Sequence, residues 1–366
     1  MYLRAEFLSL ENMGKYDIRI ERVKNSKIDE FDSSNLKFGK MLSEHMFVAD
    51  YTDGKWQDAR IIPYGNFEIS PANSAIHYGQ SIFEGMKAFK NDRGEILLFR
   101  PDMNAARFNR SAERMCMAQL PEDLFIEAIQ ELLRVDKNWI PDAPGSSMYI
   151  RPFMFATDSA LGVKPSETYR FMVINSPSGP YYAEPVRVKI ETDYTRAASG
   201  GTGAAKTAGN YAASLFPAQK AKQDGFDQII WTDGATHTFI EEAGTMNIMF
   251  VIDGVLRTCP LTSTILPGVT RDSVLKYAAH KGMEINEAPI KVDELIAAIE
   301  NKSLTEAFGV GTAVTVSHIK EISYKGKNHN LPPIESRPVA NDIHNFLEKV
   351  KRGQIEDELG WITKFQ

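Results

Sequence analysis

Apolar residues at Leu124, Phe125, Ala128, Ile129, Leu132 and Leu133 recur three and four positions apart, which predicts an amphipathic helix with one core-facing stripe. Pro121 stands just ahead, where proline suits a helix start, and Pro101 opens an earlier helical stretch carrying Arg107, Arg110 and Arg114. Elsewhere the period falls to two. Residues 16–23 alternate apolar and charged positions and read as a half-buried strand. Residues 46–62 read as a hairpin turning at Asp53-Gly54, and a second hairpin turns about Asn91 to Gly94 before the apolar run Ile96 to Phe99. Further strands are expected over 147–157 and 169–175.

The clearest punctuation by proline and glycine is Ser176-Pro177-Ser178-Gly179-Pro180. It suggests a boundary between an N-terminal unit, 1–178, and a C-terminal unit, 187–366, joined by a loop at 179–186. Beyond it, strand patterns occupy 186–191, 227–232, 236–242 and 247–258, the last folded at Asp253-Gly254. One helix is expected to end near Gly225 and another to close at Gly282, glycine being favoured just past a helix C-terminus. Two more, over 292–301 and 338–351, bracket a strand-rich stretch at 306–324. The class is mixed α/β, with helices and strands interspersed.

A length of 366 residues exceeds one ordinary core and agrees with two domains. The net charge of −6 argues against nucleic acid or an anionic membrane as partner and favours small molecules or protein. Only Cys116 and Cys259 are present, in no paired-cysteine metal or redox motif, so no metal site is expected and both thiols are expected reduced. Glu6, Ser9 and Glu11 interrupt the apolar residues near the start as a signal peptide would not allow, and no run approaches membrane-spanning length. A soluble, unprocessed, cytoplasmic protein is expected.

Candidate chemistry centres on one lysine. In the run Ser199 to Asn210, Lys206 stands among four glycines and three alanines. Small neighbours let backbone and a planar ligand approach closely, and reduced hydration favours the neutral amine that a Schiff base requires. A glycine-rich loop with a solvated lysine would read the same way. Gly268-Val269-Thr270 precedes a helix whose free amides could cradle a phosphate, and Arg107 could add fixed positive charge, although a helix-face arginine is more often solvated. Glu241 and Glu242 adjoin at a strand end, where alternation lets only one point inward; adjacent acids are usually a surface pair.

Taken together, 78–89, Phe99-Arg100-Pro101 with Arg107, Tyr149-Ile150-Arg151-Pro152, Lys206 to Tyr211, Glu242 to Asn247, Leu266 to Arg271 and Gly309 to Ala313 closely resemble the branched-chain amino-acid aminotransferases, over roughly residues 45 to 350. These are fold-type IV pyridoxal-phosphate enzymes. The resemblance implies a small α/β domain, a larger pseudo-barrel domain, pyridoxal 5'-phosphate between them, and a homodimer. By the same resemblance Lys206 matches the Schiff-base lysine and proton shuttle. Arg107, Thr245, Val269 and Thr270 match the phosphate site, Tyr211 the partner of the ring hydroxyl oxygen, and Glu242 the partner of the pyridine nitrogen. Tyr78, Phe83, Tyr149, Arg151 and Tyr181 resemble substrate-pocket residues, and Thr312 and Ala313 the turn whose amides receive the substrate carboxylate.

The implied reaction is transamination between leucine, isoleucine or valine and 2-oxoglutarate, giving branched 2-oxo acids and glutamate. D-amino-acid aminotransferases and aminodeoxychorismate lyases share the lysine and glutamate but not the run 78–89. Where some animal members carry a redox-sensing cysteine pair, this chain has Val314 and Ser317, so that regulation is expected to be absent. The stretch before Phe47 matches no part of the family pattern.

Overall fold

The computed structural model describes residues 14–33, 36–179 and 184–366. The chain first lays down β1 (Arg19–Ile20), β2 (His45–Thr52), β3 (Lys55–Pro63), α1 (Ser74–Tyr78), β4 (Ser81–Phe83), β5 (Met86–Lys90) and β6 (Ile96–Phe99). Helices α2 (Pro101–Arg114) and α3 (Glu122–Val135) follow, then β7 (Ser147–Ala156) and β8 (Tyr169–Ser178). The second part comprises β9 (Val186–Ile190), α4 (Ala208–Gln223), β10 (Gln228–Thr232), β11 (Ile240–Ala243), β12 (Met246–Ile252), β13 (Val255–Thr258), α5 (Val269–His280) and β14 (Ile285–Glu287). It ends with α6 (Val292–Glu300), β15 (Leu304–Gly311), β16 (Thr315–Tyr324), β17 (Lys327–Asn330), α7 (Pro338–Lys351) and β18 (Ile362–Phe365).

The first sheet runs β1-β3-β2-β8-β7-β5-β6-β18, with β4 paired to β7. Its apolar face is covered by α2 and α3: Phe108, Phe125, Ile129 and Leu132 pack against Phe47, Ile61, Met148 and Phe171 in one core. The six stripe positions of α3 are its six buried residues. Both hairpins turn where expected, with Asp53-Gly54 and Gly94 at positive φ. The strand expected over 16–23 is reduced to two exposed residues at the sheet edge beside β3, while Tyr16 and Ile18 ahead of it pack against the core.

In the second sheet β11, β10, β9, β16, β15 and β12 follow one another, and β11 also pairs with β12. The six strands therefore close into a barrel, leaving no open edge among them. The strand expected over 236–242 begins only at Ile240, since Asp233 ties 236–239 into a loop by accepting from the amides of Thr236, Thr238 and Phe239. The short strand β18 returns to the first sheet and pairs antiparallel with β6, and the Arg100 amide donates to the Trp361 carbonyl beside it. Thus the chain passes between the two sheets twice.

Both cysteines are free, Cys116 exposed and Cys259 buried. Among the described residues no helix is long and apolar enough to cross a membrane.

Candidate active site

A cleft of about 230 Å³ opens between the sheets. From the first come Phe83, Gly85, Arg107, Tyr149 and Arg151; from the second come Lys206, Tyr211, Glu242, Thr245, Val269, Thr270, Thr312 and Ala313. The two halves are stitched at its floor, where the Phe83 amide donates to the Lys206 carbonyl and Ile82 bridges Thr207. A side chain at Gly85 would strike the Tyr149 hydroxyl, which would have to move to admit it.

Lys206 precedes α4, in a segment folded tightly enough that a Cβ at Gly203 would meet the Thr264 carbonyl at 2.6 Å. Its amide donates to Ser111 Oγ at 2.9 Å, and its Nζ donates to Tyr211 Oη at 2.7 Å. The ammonium also stands 4.9 Å from the centre of the Phe83 ring. Burial, reinforced by the Arg107 charge, pushes the amine down to about 8; Glu84 acts in the opposite sense. Burial, with Glu242 nearby, raises the Tyr211 phenol to about 12, so it stays protonated at neutral pH.

Arg107 is not a solvated helix-face residue. Its Nε and Nη2 donate to the two carboxylate oxygens of Glu84, both at 2.7 Å, and Nη1 donates to the Pro267 carbonyl at 3.2 Å. Glu84 is wholly buried and also accepts from Asn104 and the Gly85 amide. Burial alone would raise its carboxyl, but Arg107 outweighs this and holds it below the usual range. The local pattern around Glu84 gave no sign of this pairing, because its partner lies on another element.

Of the adjacent glutamates only Glu242 reaches the cleft, as strand alternation requires, but they are not a surface pair. Both are buried. Glu242 Oε2 lies 3.0 Å from Arg196 Nε, and Oε1 accepts from the Leu266 amide at 2.7 Å. Burial pushes its carboxyl up to about 7, against the opposing pull of Arg196 and that amide. Glu241 lies off the cleft, where Thr264 Oγ1 donates to it at 2.5 Å. Arg196 was invisible to sequence reasoning, being one arginine in a loop.

Gly268 stands just ahead of α5 and offers no side-chain cap, so the first amides of the helix, beside Arg107 and Thr245, have no capping side chain among the described residues. Opposite, Arg151 stacks over Phe83 at 4.8 Å and donates to Tyr149 Oη, while its buried Nε has no hydrogen-bond partner among the described residues. Phe38, Met246 and Val310 add apolar wall that the sequence did not single out. Tyr78 stands apart from this cleft: it is 45% exposed and its hydroxyl donates to the Leu161 carbonyl at 2.5 Å. Tyr181 lies outside the described residues.

A cleft lined from both parts of the chain, with a half-buried lysine, a buried carboxylate and an uncapped helix start, has clear counterparts. The family model for amino-transferase class IV matches residues 81–322. The chain belongs to the class IV aminotransferases. Branched-chain-amino-acid aminotransferase 2 of Bacillus subtilis (strain 168) is 42% identical over 96% of this chain and 98% of its own length, and the Mycobacterium tuberculosis branched-chain-amino-acid aminotransferase is 39% identical over 96% and 99%. Among solved structures, the branched-chain aminotransferase of Thermoproteus uzoniensis with norvaline matches with TM-score 0.72 and 25% identity, over 88% of this chain and 99% of that one. The Escherichia coli branched-chain enzyme gives 0.70 and 26%, over 87% and 98%. A third branched-chain amino acid aminotransferase, solved with pyridoxamine 5'-phosphate, gives 0.70 and 26%, over 88% and 98%. Within its class, then, the chain falls among the branched-chain-amino-acid aminotransferases, as the sequence resemblance implied.

Proposed function

We propose that the chain exchanges amino groups between leucine, isoleucine or valine and 2-oxoglutarate, using pyridoxal 5'-phosphate held in this cleft. The observation that carries the reading is Lys206, a half-buried amine near 8 that lines the cleft with Phe83 and Glu242 and is in contact with Tyr211. The donor set fits the group: free α5 amides at Val269 and Thr270, the Thr245 hydroxyl and Arg107 suit a phosphate, Tyr211 suits a ring hydroxyl oxygen, and Glu242 suits a ring nitrogen. When bound, the cofactor supplies an electrophilic carbon for the substrate amine and an electron sink for its α-carbon.

Lys206 Nζ is the group placed to take the substrate α-proton and return one. Its lowered basicity leaves an appreciable neutral fraction near neutral pH. The Thr312 and Ala313 amides receive the substrate carboxylate, Phe83 and Tyr149 form the apolar wall, and the unpartnered Nε of Arg151 meets a second carboxylate at the rim. A homodimer accounts for exposed Phe67, Ile76, Leu161 and Val163 around Tyr78, whose aromatic face would then meet a second copy rather than its own cleft. Free cysteines are in keeping with a cytoplasmic location.

Steady-state kinetics on the purified protein with 2-oxoglutarate as acceptor tests this function. Leucine, isoleucine and valine should all react, separated by only ~1–3 kcal/mol per methylene, since apolar walls discriminate weakly by size. Glutamate should react through the rim, whereas aspartate, whose shorter chain strands its charge against apolar wall, should be poor. Aspartate or a D-amino acid outperforming leucine in kcat/KM would overturn the substrate assignment. The two glutamates should also separate: Glu242→Gln should lower turnover by the ~10²–10³ that follows loss of one preorganised electrostatic partner. Glu241→Gln should leave turnover nearly unchanged, and equal effects would remove the special role of Glu242.

A further inference from the structure

The turn from Gly311 to Thr315 carries an unusual backbone. Thr315 adopts φ +58°, a left-handed conformation that a β-branched residue rarely holds. Such a residue persists only where its surroundings enforce it. Here they do so from α7 and from the first sheet. The Thr315 hydroxyl donates to Glu348 at 2.6 Å and accepts from Lys351 Nζ at 2.8 Å, both partners projecting from α7. From the first sheet, Lys87 on β5 donates its Nζ to the Ala313 carbonyl at 2.7 Å.

These groups are expensive to bury. Lys351 is 4% exposed, and Lys87 is pushed down to about 8 by burial and then by Lys351. Burial would raise the Glu348 carboxyl, yet Lys351 and the Thr315 hydroxyl outweigh it and hold it at about 2. With Arg352 also acting on Lys87 and paired to Glu348, three cations face one carboxylate behind the turn. A glutamine at position 87 could donate to the same carbonyl without that charge. The excess positive potential is therefore the feature requiring a use, and Thr312 and Ala313 of the same turn line the cleft.

We propose that Lys87, with Thr315, Glu348 and Lys351, forms a positioning network that fixes the 311–315 turn and adds positive potential behind it, so that carboxylate recognition by the cleft depends on Lys87. The inference rests on the reading of Thr312 and Ala313 as the substrate-carboxylate turn. Lys87 touches the turn rather than the substrate, so it is a positioning residue.

Two competitive inhibitors of leucine turnover by the holoenzyme test it: 4-methylpentanoate, the leucine skeleton with only its carboxylate, and 4-methylpentan-1-ol, its uncharged counterpart. The unmodified enzyme should prefer the acid. Lys87→Met should lose about 10-fold or more of that preference, the scale of a charge-assisted contact, while inhibition by the alcohol and kcat stay within about 3-fold. KM for leucine and for 2-oxoglutarate should rise together. Thr315→Val, which disconnects the turn from α7 without changing its charge inventory, should move the preference in the same direction and serves if Lys87→Met fails to fold. Variants that keep the full preference, or that weaken acid and alcohol alike, would overturn the network. Absence of any preference in the unmodified enzyme would instead refute the carboxylate-turn reading itself, and the network with it.

Discussion

Lys206→Met should remove turnover and, in the same protein without cofactor, raise stability. The first effect is at least the ~10²–10⁴ that accompanies loss of a general acid–base group, because no other amine lines the cleft among the described residues. The second follows from proton linkage. Folding lowers the amine from 10.5 to about 8, so between those pH values the unfolded chain binds the extra proton and the folded chain does not. Stability contributed by this group therefore rises with pH across that window, and below about pH 8 the folded state carries the whole cost of a buried ammonium. A shift of this size corresponds to ~3 kcal/mol. Methionine keeps the volume without the charge, so chemical denaturation of the cofactor-free variant at pH 7 should show a gain approaching that figure, shrinking as pH rises from about 8 and nearly gone by 10.5. A loss of stability on substitution, or a gain that ignores pH, would mean that Lys206 is not held as a strained amine.

Arg107→Ala should be among the most damaging substitutions to the fold itself, with ~3–5 kcal/mol of stability lost, since it leaves the wholly buried Glu84 carboxylate without its counter-charge. The cost arises from the partner left behind. Adding Glu84→Leu to an Arg107→Met background should therefore recover much of the loss, although phosphate affinity should stay low because the guanidinium is still missing. Urea denaturation of the single and double variants, alongside titration with pyridoxal phosphate, separates the two roles. Additive losses in the double variant would show that the pair is not coupled, and undiminished cofactor affinity would remove Arg107 from the phosphate site.

Local pattern makes much of this fold readable. The α3 stripe, the Asp53-Gly54 turn and the helix closed by Gly282 each depend on neighbours within a few positions, where sequence carries the physics directly. Helix α4 is marked by Gly225 rather than by any stripe, since it leaves Leu215 and Phe216 exposed and takes Pro217 within it. The candidate site is legible in Lys206 and Glu242 and not in what supports them. Lys206 and Glu242 lie in distinctive runs, whereas Glu84, Arg196 and Lys87 acquire meaning only from partners that folding brings from other elements. Tyr78 shows the converse: a residue marked by its motif that the single chain does not bring to its own cleft.

The return of β18 to the first sheet bears on how the protein is made. Strand β6 emerges from the ribosome early, with one side paired to β5 and the other side presenting unpaired amides and carbonyls. Its partner is not synthesised until the barrel strands and α7 have followed. Throughout that interval the nascent sheet has an open edge, the kind of surface that recruits strands from neighbouring chains. Docking of Trp361 against Arg100, at 5.2 Å between ring centre and guanidinium, and pairing of β18 close that edge last. The strand furthest along the chain thus acts as a seal on the first sheet, whose edge stays open until both sheets have been laid down.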